Sequence, residues 1–173
     1  MMIAVTTRLI TVADAPALAA LLHTNREFLA PWEPERAESY YTADGQRQII
    51  EDALRQFDQG GLLPHVIVED GRIIGRITVS TIVRGPFQSG SLGYLVDAGC
   101  NGRGVATAAV GHIVRLAFGD LGLHRLEAGT LPHNIRSQRV LERNGFRRYG
   151  LAPRYLKIAG DWRDHTLYQL LNE

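Results

Sequence analysis

The sequence predicts an α/β fold built on one mixed sheet of about six to seven strands flanked by about four helices. Two β-branched runs meet at Asp70-Gly71, a pair suited to a type I′ turn, so the early strands include an antiparallel hairpin. Later strand-like runs alternate with segments of helical period, a pattern that a hairpin-led mixed sheet accommodates and an all-parallel doubly wound sheet does not. Glycines at 60, 61, 85 and 145 punctuate these segments.

Residues 8–12 read as a first short strand. Thr11, followed three residues later by Asp14, offers a capping box for a helix that turns Leu18, Leu21 and Leu22 inward. Residues 28–34 form a proline-broken aromatic stretch, and Pro31 and Pro34 forbid a continuous helix, which places Phe28 and Trp32 on a loop. Both rings also suit a plain role as core plugs beneath it. A second helix spans residues 42–59, with Ile50, Ala53, Leu54 and Phe57 at helical spacing before Gly60-Gly61. Residues 65–69 and 72–83 are the hairpin strands, and residues 92–96 a further short strand. A loop at 99–104 feeds a helix with Val110, Ile113, Val114 and Ala117 on one face. Residues 125–130 are the next strand, 135–144 a helix stopped by Gly145, 146–151 a strand, and 166–171 the last strand.

The chain has 173 residues, 45% of them apolar and 21% charged, which fits a single domain over residues 1–173 with a sizeable core. A formal net charge of +1 holds no polyanion by field alone, so no direct nucleic-acid binding is expected. The lone Cys100 forms neither an intrachain disulfide nor a cysteine-rich metal site, and the histidines lack His-Glu-x-x-His spacing, so no metal is expected. Residues 1–11 lack a basic-then-apolar signal pattern, and no apolar run nears the ~20 residues that span a bilayer. The expected setting is a reducing cytoplasm without a membrane. Monomer and homodimer both remain open.

Asn101-Gly102-Arg103-Gly104-Val105-Ala106 joins a strand to a helix start, where backbone N–H groups lack intrahelical partners and the helix dipole is positive. Glycines at 102 and 104 let the backbone close on a phosphate, and Arg103 adds a charge. The same glycines equally suit a tight turn with no ligand. No Gly-Lys-Ser/Thr follows, which excludes a Walker loop, and the position in the chain does not fit a Rossmann loop.

With Gly93-Tyr94-Leu95-Val96 before it, this loop resembles the acetyl-CoA motif Arg/Gln-x-x-Gly-x-Gly/Ala of the GNAT N-acetyltransferases, with Asn101 in place of the usual Arg or Gln. Asn134-Ile135-Arg136-Ser137 and the run from Val140 to Gly145-Phe146 are similar to that family's Asn-x-x-Ser helix with its terminal Gly-Phe. Asn25 to Pro34, Val83-Arg84-Gly85 and Asp161-Trp162-Arg163-Asp164-His165 narrow the resemblance to the RimJ/RimL type, which acetylates ribosomal-protein N-termini. The resemblance implies a sheet that splays between its fourth and fifth strands, here residues 92–96 and 125–130, with the pantetheine arm of acetyl-CoA entering as a pseudo-strand. It implies cosubstrate contacts from Leu95, Val96, Asn101, Gly102, Arg103, Gly104, Val105, Ala106, Asn134 and Ser137.

Acetyl transfer from a thioester to an amine needs a neutral nucleophile, donors for the developing oxyanion and an acid for the leaving thiolate. The backbone amides at Leu95 and Val96 are the oxyanion candidates. Ser137, one turn beyond Asn134, is the family-like candidate to serve the thiolate, while Asn134 as a helix N-cap and Ser137 as a first-turn polar residue are compatible parallel roles. Ser91 stands where many GNAT enzymes carry a carboxylate, leaving Glu33 and Glu127 as base candidates that also suit a solvated surface. An α-amine, with a reference pKa of ~7.7–8.0, is partly uncharged at neutral pH, so water alone can carry its proton.

Three readings follow: acetylation of a protein N-terminus, such as a ribosomal protein beginning with alanine; acetylation of a small amine; or a noncatalytic acyl-CoA sensor. Phe28, Trp32 and Glu33 are the candidate substrate loop. A wide groove between that loop and a turn at 161–165 favours the first reading, and a closed acidic pocket the second.

Overall fold

A computed structural model describes residues 4–173; the first three residues of the 1–11 stretch lie outside them. The chain runs β1 (Val5–Leu9), α1 (Ala15–Thr24), α2 (Arg26–Leu29), α3 (Ala43–Asp58), β2 (Leu63–Glu69), β3 (Arg72–Val83), β4 (Ser89–Val96), α4 (Val105–Phe118), β5 (Arg125–Thr130), α5 (Ile135–Arg143), β6 (Arg147–Ile158) and β7 (Asp161–Leu171). The strands form one seven-stranded sheet in the order β1-β2-β3-β4-β5-β7-β6. Every neighbouring pair is antiparallel except β4 and β5, so the sheet is mixed as the sequence predicts.

Local chemistry explains most boundaries. Asp70 and Gly71 have φ of 50° and 76°, the two left-handed positions that a type I′ turn needs. Thr42 caps α3 by accepting from the Gly45 amide (3.1 Å), and Gly60 at φ 77° follows its end. The first strand ends earlier than residues 8–12 suggest, because Asp14 gathers that segment into a 3₁₀ turn. Its carboxylate accepts from the Thr11 amide (2.8 Å) and from both terminal nitrogens of Arg8 (2.8 Å each), while its own amide donates to the Thr11 carbonyl (3.0 Å). That ion pair holds the Asp14 carboxyl below the usual carboxylate range.

Three expectations need correction. Phe28 is on the single-turn helix α2 rather than a loop, since the prolines act only from residue 31 onward. Neither Phe28 nor Trp32 plugs the core there; Leu29 does, at 8% exposure, while Phe28 is 37% exposed. In the last hairpin, β6 and β7 run well past the predicted 146–151 and 166–171, and residues 161–165 are strand, the turn being Ala159-Gly160. Pro153 breaks the alternation in sequence, but the ladder absorbs it as a register shift between Ala152 and Leu156, with the Arg154 amide donating to Asp164 (2.9 Å).

Each sheet face carries its own core. On one, Val110, Ile113 and Ala117 of α4 and Leu141 of α5 pack on Ile77 and Leu126. On the other, Leu18 and Leu22 of α1 and Ile50 of α3 pack on Val66 and Leu95. Among the described residues no helix is long and apolar enough to cross a membrane, and no cluster of three or more His, Cys, Asp or Glu could hold a metal ion.

A buried polar chain ties β1 to its neighbours. The Thr7 amide donates to His112 Nδ1 (3.2 Å), which makes that nitrogen an acceptor; the Thr7 hydroxyl then donates to it (2.8 Å) and accepts from His65 Nδ1–H (3.1 Å). Burial, aided by His112, lowers the His65 pKa to about 4. The folded value lies below the unfolded reference of ~6.5, so the stabilising contribution is complete above that pH and is lost as pH falls from there toward 4. Thermal unfolding over this range should show the parent losing up to a few kcal/mol more than His65→Gln, which keeps a donor to Thr7 without titrating. Parallel curves for the two proteins would assign the acid sensitivity elsewhere.

Candidate active site

The sheet opens at its centre. β4 and β5 pair only at Ser89 with Arg125, Gly90 with Leu126 and Ser91 with Glu127. Beyond that, β4 stays with β3 and β5 with β7. A cleft of about 370 Å³ fills the resulting gap, between Leu92, Tyr94 and Leu95 on one wall and Ala128, Thr130 and Leu131 on the other. The Thr130 hydroxyl is buried beside the cleft without a hydrogen-bond partner.

Strand parity decides which amides face the gap. Asp97 donates its amide to the Ile74 carbonyl (2.8 Å), which makes Arg76 and Leu95 a hydrogen-bonded pair across β3 and β4. Leu95 therefore turns its N–H and C=O to β3; Gly75, the residue before its partner Arg76, has no side chain where a Cβ would strike the Leu95 carbonyl. This corrects the expectation for Leu95, whose amide is engaged in the ladder. Val96, together with Tyr94, presents its amide to the opening.

On the α5 side, Asn134 Oδ1 accepts from the Ser137 amide (3.2 Å), so Asn134 is the N-cap while also lining the cleft with Ser137. The Ser137 hydroxyl lies 2.7 Å from that of Tyr94, which is also 3.3 Å from the Ser137 carbonyl. Burial pushes the Tyr94 phenol up to about 12, so it stays protonated. Tyr94 was missed as a site residue, although its alternation with Leu92 and Val96 was a usable signal.

Past the cleft, the trough continues to the glycine loop. Gly102 and Gly104 have φ of 77° and 79°, and a Cβ at either would meet nothing within 4 Å, so both backbones border open space. Gly104 is the N-cap of α4, with Val105 and Ala106 in its first turn. A cavity of about 420 Å³ there runs from Asn101, Gly102 and Gly104 to Arg136, Arg139 and Arg143 of α5. Arg103 departs from its expected role: its guanidinium pairs with buried Glu69 (2.7 Å). The positive charge over the loop comes from α5 instead, and the three arginines at i, i+3 and i+7 were a legible helical stripe.

Between loop and cleft, Phe28 and Trp32 wall a further cavity of about 500 Å³ with Asn101, Ala106 and Ile135. Trp32 lies against His133 across the trough, tilted by 35° with ring centres 5.3 Å apart, and Trp32 borders both this cavity and the cleft.

On the opposite face of the sheet the cleft is lined by Glu33, Arg76, Thr78, Ser80 and His165. The Glu33 carbonyl accepts from the Ala159 amide (3.0 Å), tying the 32–34 segment to the β6–β7 turn. Burial raises the Glu33 carboxyl above the usual range, against the pull of Arg36 and Arg76. Glu127 does not line the cleft; it is paired with Arg125 (2.9 Å) and accepts from Tyr149 (3.3 Å), so it is withdrawn as a base candidate.

The chain matches the Acetyltransferase (GNAT) domain family over residues 5–147. It is 38% identical over 167 residues to the probable N-acetyltransferase YjcK of Bacillus subtilis (strain 168), covering 95% of this chain and 92% of that protein. It is 36% identical over 166 residues to the [ribosomal protein uS5]-alanine N-acetyltransferase of Escherichia coli (strain K12), covering 94% and 85%. The solved structure of Mycobacterium smegmatis RimJ in complex with CoA-disulfide superposes with a TM-score of 0.93 at 33% identity, covering 96% of this chain and 81% of that one.

Proposed function

The chain belongs to the GNAT acetyltransferase family, and on that premise we propose that it acetylates the α-amino group of a protein N-terminus, a ribosomal protein beginning with alanine being the preferred acceptor. One observation carries the choice of acceptor. The amine side of the cleft holds one carboxylate, Glu33, faced by Arg76, and is walled by Trp32, Pro34, Leu156 and Ile158. A polyamine or aminoglycoside brings several positive charges and needs several carboxylates, whereas an N-terminus brings one. The alanine N-terminus is the acceptor that the Escherichia coli relative is named for.

In this reading acetyl-CoA lies with its pyrophosphate on the amides of residues 101–106 and its phosphates toward Arg136, Arg139 and Arg143. The pantetheine arm follows the unpaired β4 edge past Asn134. The Val96 and Tyr94 amides receive the thioester oxygen as charge develops on it, and the Ser137 hydroxyl, backed by Tyr94, serves the departing sulfur. Glu33 holds the incoming ammonium.

Short peptides with a free N-terminal Ala or Ser should be acetylated from labelled acetyl-CoA, and the same peptides with a blocked N-terminus and an internal Lys should not. Mass spectrometry locates the label. Acetylation mainly on lysine, or turnover only with small polyamines, would defeat the N-terminal acceptor and leave the acetyltransferase assignment in place.

A further inference from the structure

We propose that Nε2 of His165 takes the proton from the acceptor ammonium, a role that rests on the acetyl-transfer reading above. His165 is on β7, 4% exposed, and lines the amine side of the cleft with Glu33 and Arg76. Its Nδ1 lies 3.1 Å from the Arg163 carbonyl. A carbonyl only accepts, so Nδ1 carries the hydrogen, and Nε2 of the neutral ring is the bare, basic nitrogen. Among the described residues Nε2 has no hydrogen-bond partner and is not one of the fully enclosed unpaired atoms, so it keeps some access on a residue that lines the cleft. Tyr155 packs on one side of the ring (centres 5.5 Å apart), and Gly129 lies beneath it, with the site of a Cβ 3.5 Å from the imidazole Cδ2. The tautomer and the ring orientation are thus both set before substrate arrives, as a catalytic base requires.

The groups around the ring are Glu33 and Arg76 across the cleft and Tyr155 against it; Glu127 shares its sheet face but is held by Arg125. Glu33 is suited to pair with the ammonium, and His165 to deprotonate it. One N–H bond breaks and its proton moves to Nε2. The freed lone pair forms the C–N bond to the acetyl carbon. As the C–S bond breaks, the nitrogen sheds a second proton, which neutralises the sulfur by way of the Ser137 hydroxyl, and the imidazolium returns its proton to water. Ammonium and thioester become amide, thiol and one released proton.

The test compares the parent with His165→Asn, whose amide keeps an N–H donor toward the Arg163 carbonyl without a base. With a free N-terminal alanine peptide, kcat/KM should fall about 100-fold near pH 6.5, and the deficit should shrink as pH passes the amine range of ~8. With an aminooxy-capped peptide, whose nucleophile is already uncharged, the variant should stay within about twofold of the parent. Acetyl-CoA affinity by calorimetry should be unchanged. In a second arm, free imidazole should restore His165→Ala on the alanine peptide at least tenfold near pH 6.5. Equal losses on both peptides at every pH, no loss at all, or no response to imidazole would overturn the role. A parent inactive on every amine would instead remove the acetyl-transfer reading itself.

Discussion

Replacing Gly104 with valine should lower the affinity of the folded protein for acetyl-CoA by about 100-fold or more, through strain and bulk that act together. At φ 79° and ψ 8° this N-cap is left-handed, a region that costs an L-residue about 1–2 kcal/mol and a β-branched one more. A Cβ there meets no protein atom, so the fold has room for the side chain, but in the proposed binding mode the space it enters is the one a phosphate takes against the amides that open α4. Gly104→Ala carries the left-handed cost common to all L-residues with less bulk, so the difference between the two variants in calorimetry reports the added bulk and β-branching of valine together. Unchanged affinity in a folded Gly104→Val protein would take the loop out of the site.

Ser137→Ala should reduce kcat by about 100-fold while leaving acetyl-CoA affinity nearly intact, because only the transition state loses an interaction. The fold should survive: the Ser137 amide keeps its bond to Asn134, and the Tyr94 hydroxyl, losing its 2.7 Å partner, still has the Ser137 carbonyl at 3.3 Å. No buried donor is orphaned. Saturating steady-state kinetics of the variant checks this; parity with the parent would leave Ser137 as a helix-start residue only.

What could be read from the residues alone divides along a physical line. Features set by a few adjacent residues were legible: the Asp70-Gly71 hairpin, the Gly60 stop of α3, the glycine pair before α4, and the Asn134 cap. Features set by register or by a partner distant in sequence were not. Leu95 and Val96 are equivalent in sequence, and only the Asp97-to-Ile74 hydrogen bond tells which amide faces the opening. Arg103 sits in the glycine loop before α4, yet Glu69, at the end of β2, captures its charge. Pro153 argues against a strand, and only pairing with β7 carries β6 through it. His165 was legible only as the end of the Asp161–His165 stretch beside the groove; its own place in the cleft was not, since its neighbours there come from residue 33, β3 and β6.

The three-pair contact of β4 with β5 has a consequence for the lifetime of the protein. Past Ser91 and Glu127, two strand edges near the middle of the sheet face each other without a shared ladder, a weakness most sheets place only at their rims. A molecule that lies between them finds its partners only when the chain is folded, and therefore stabilises it by RT ln(1 + [L]/Kd), about 2.7 kcal/mol at a hundredfold excess over Kd. Resistance to heat and proteolysis should then rise with the concentration of whatever molecule lies between them.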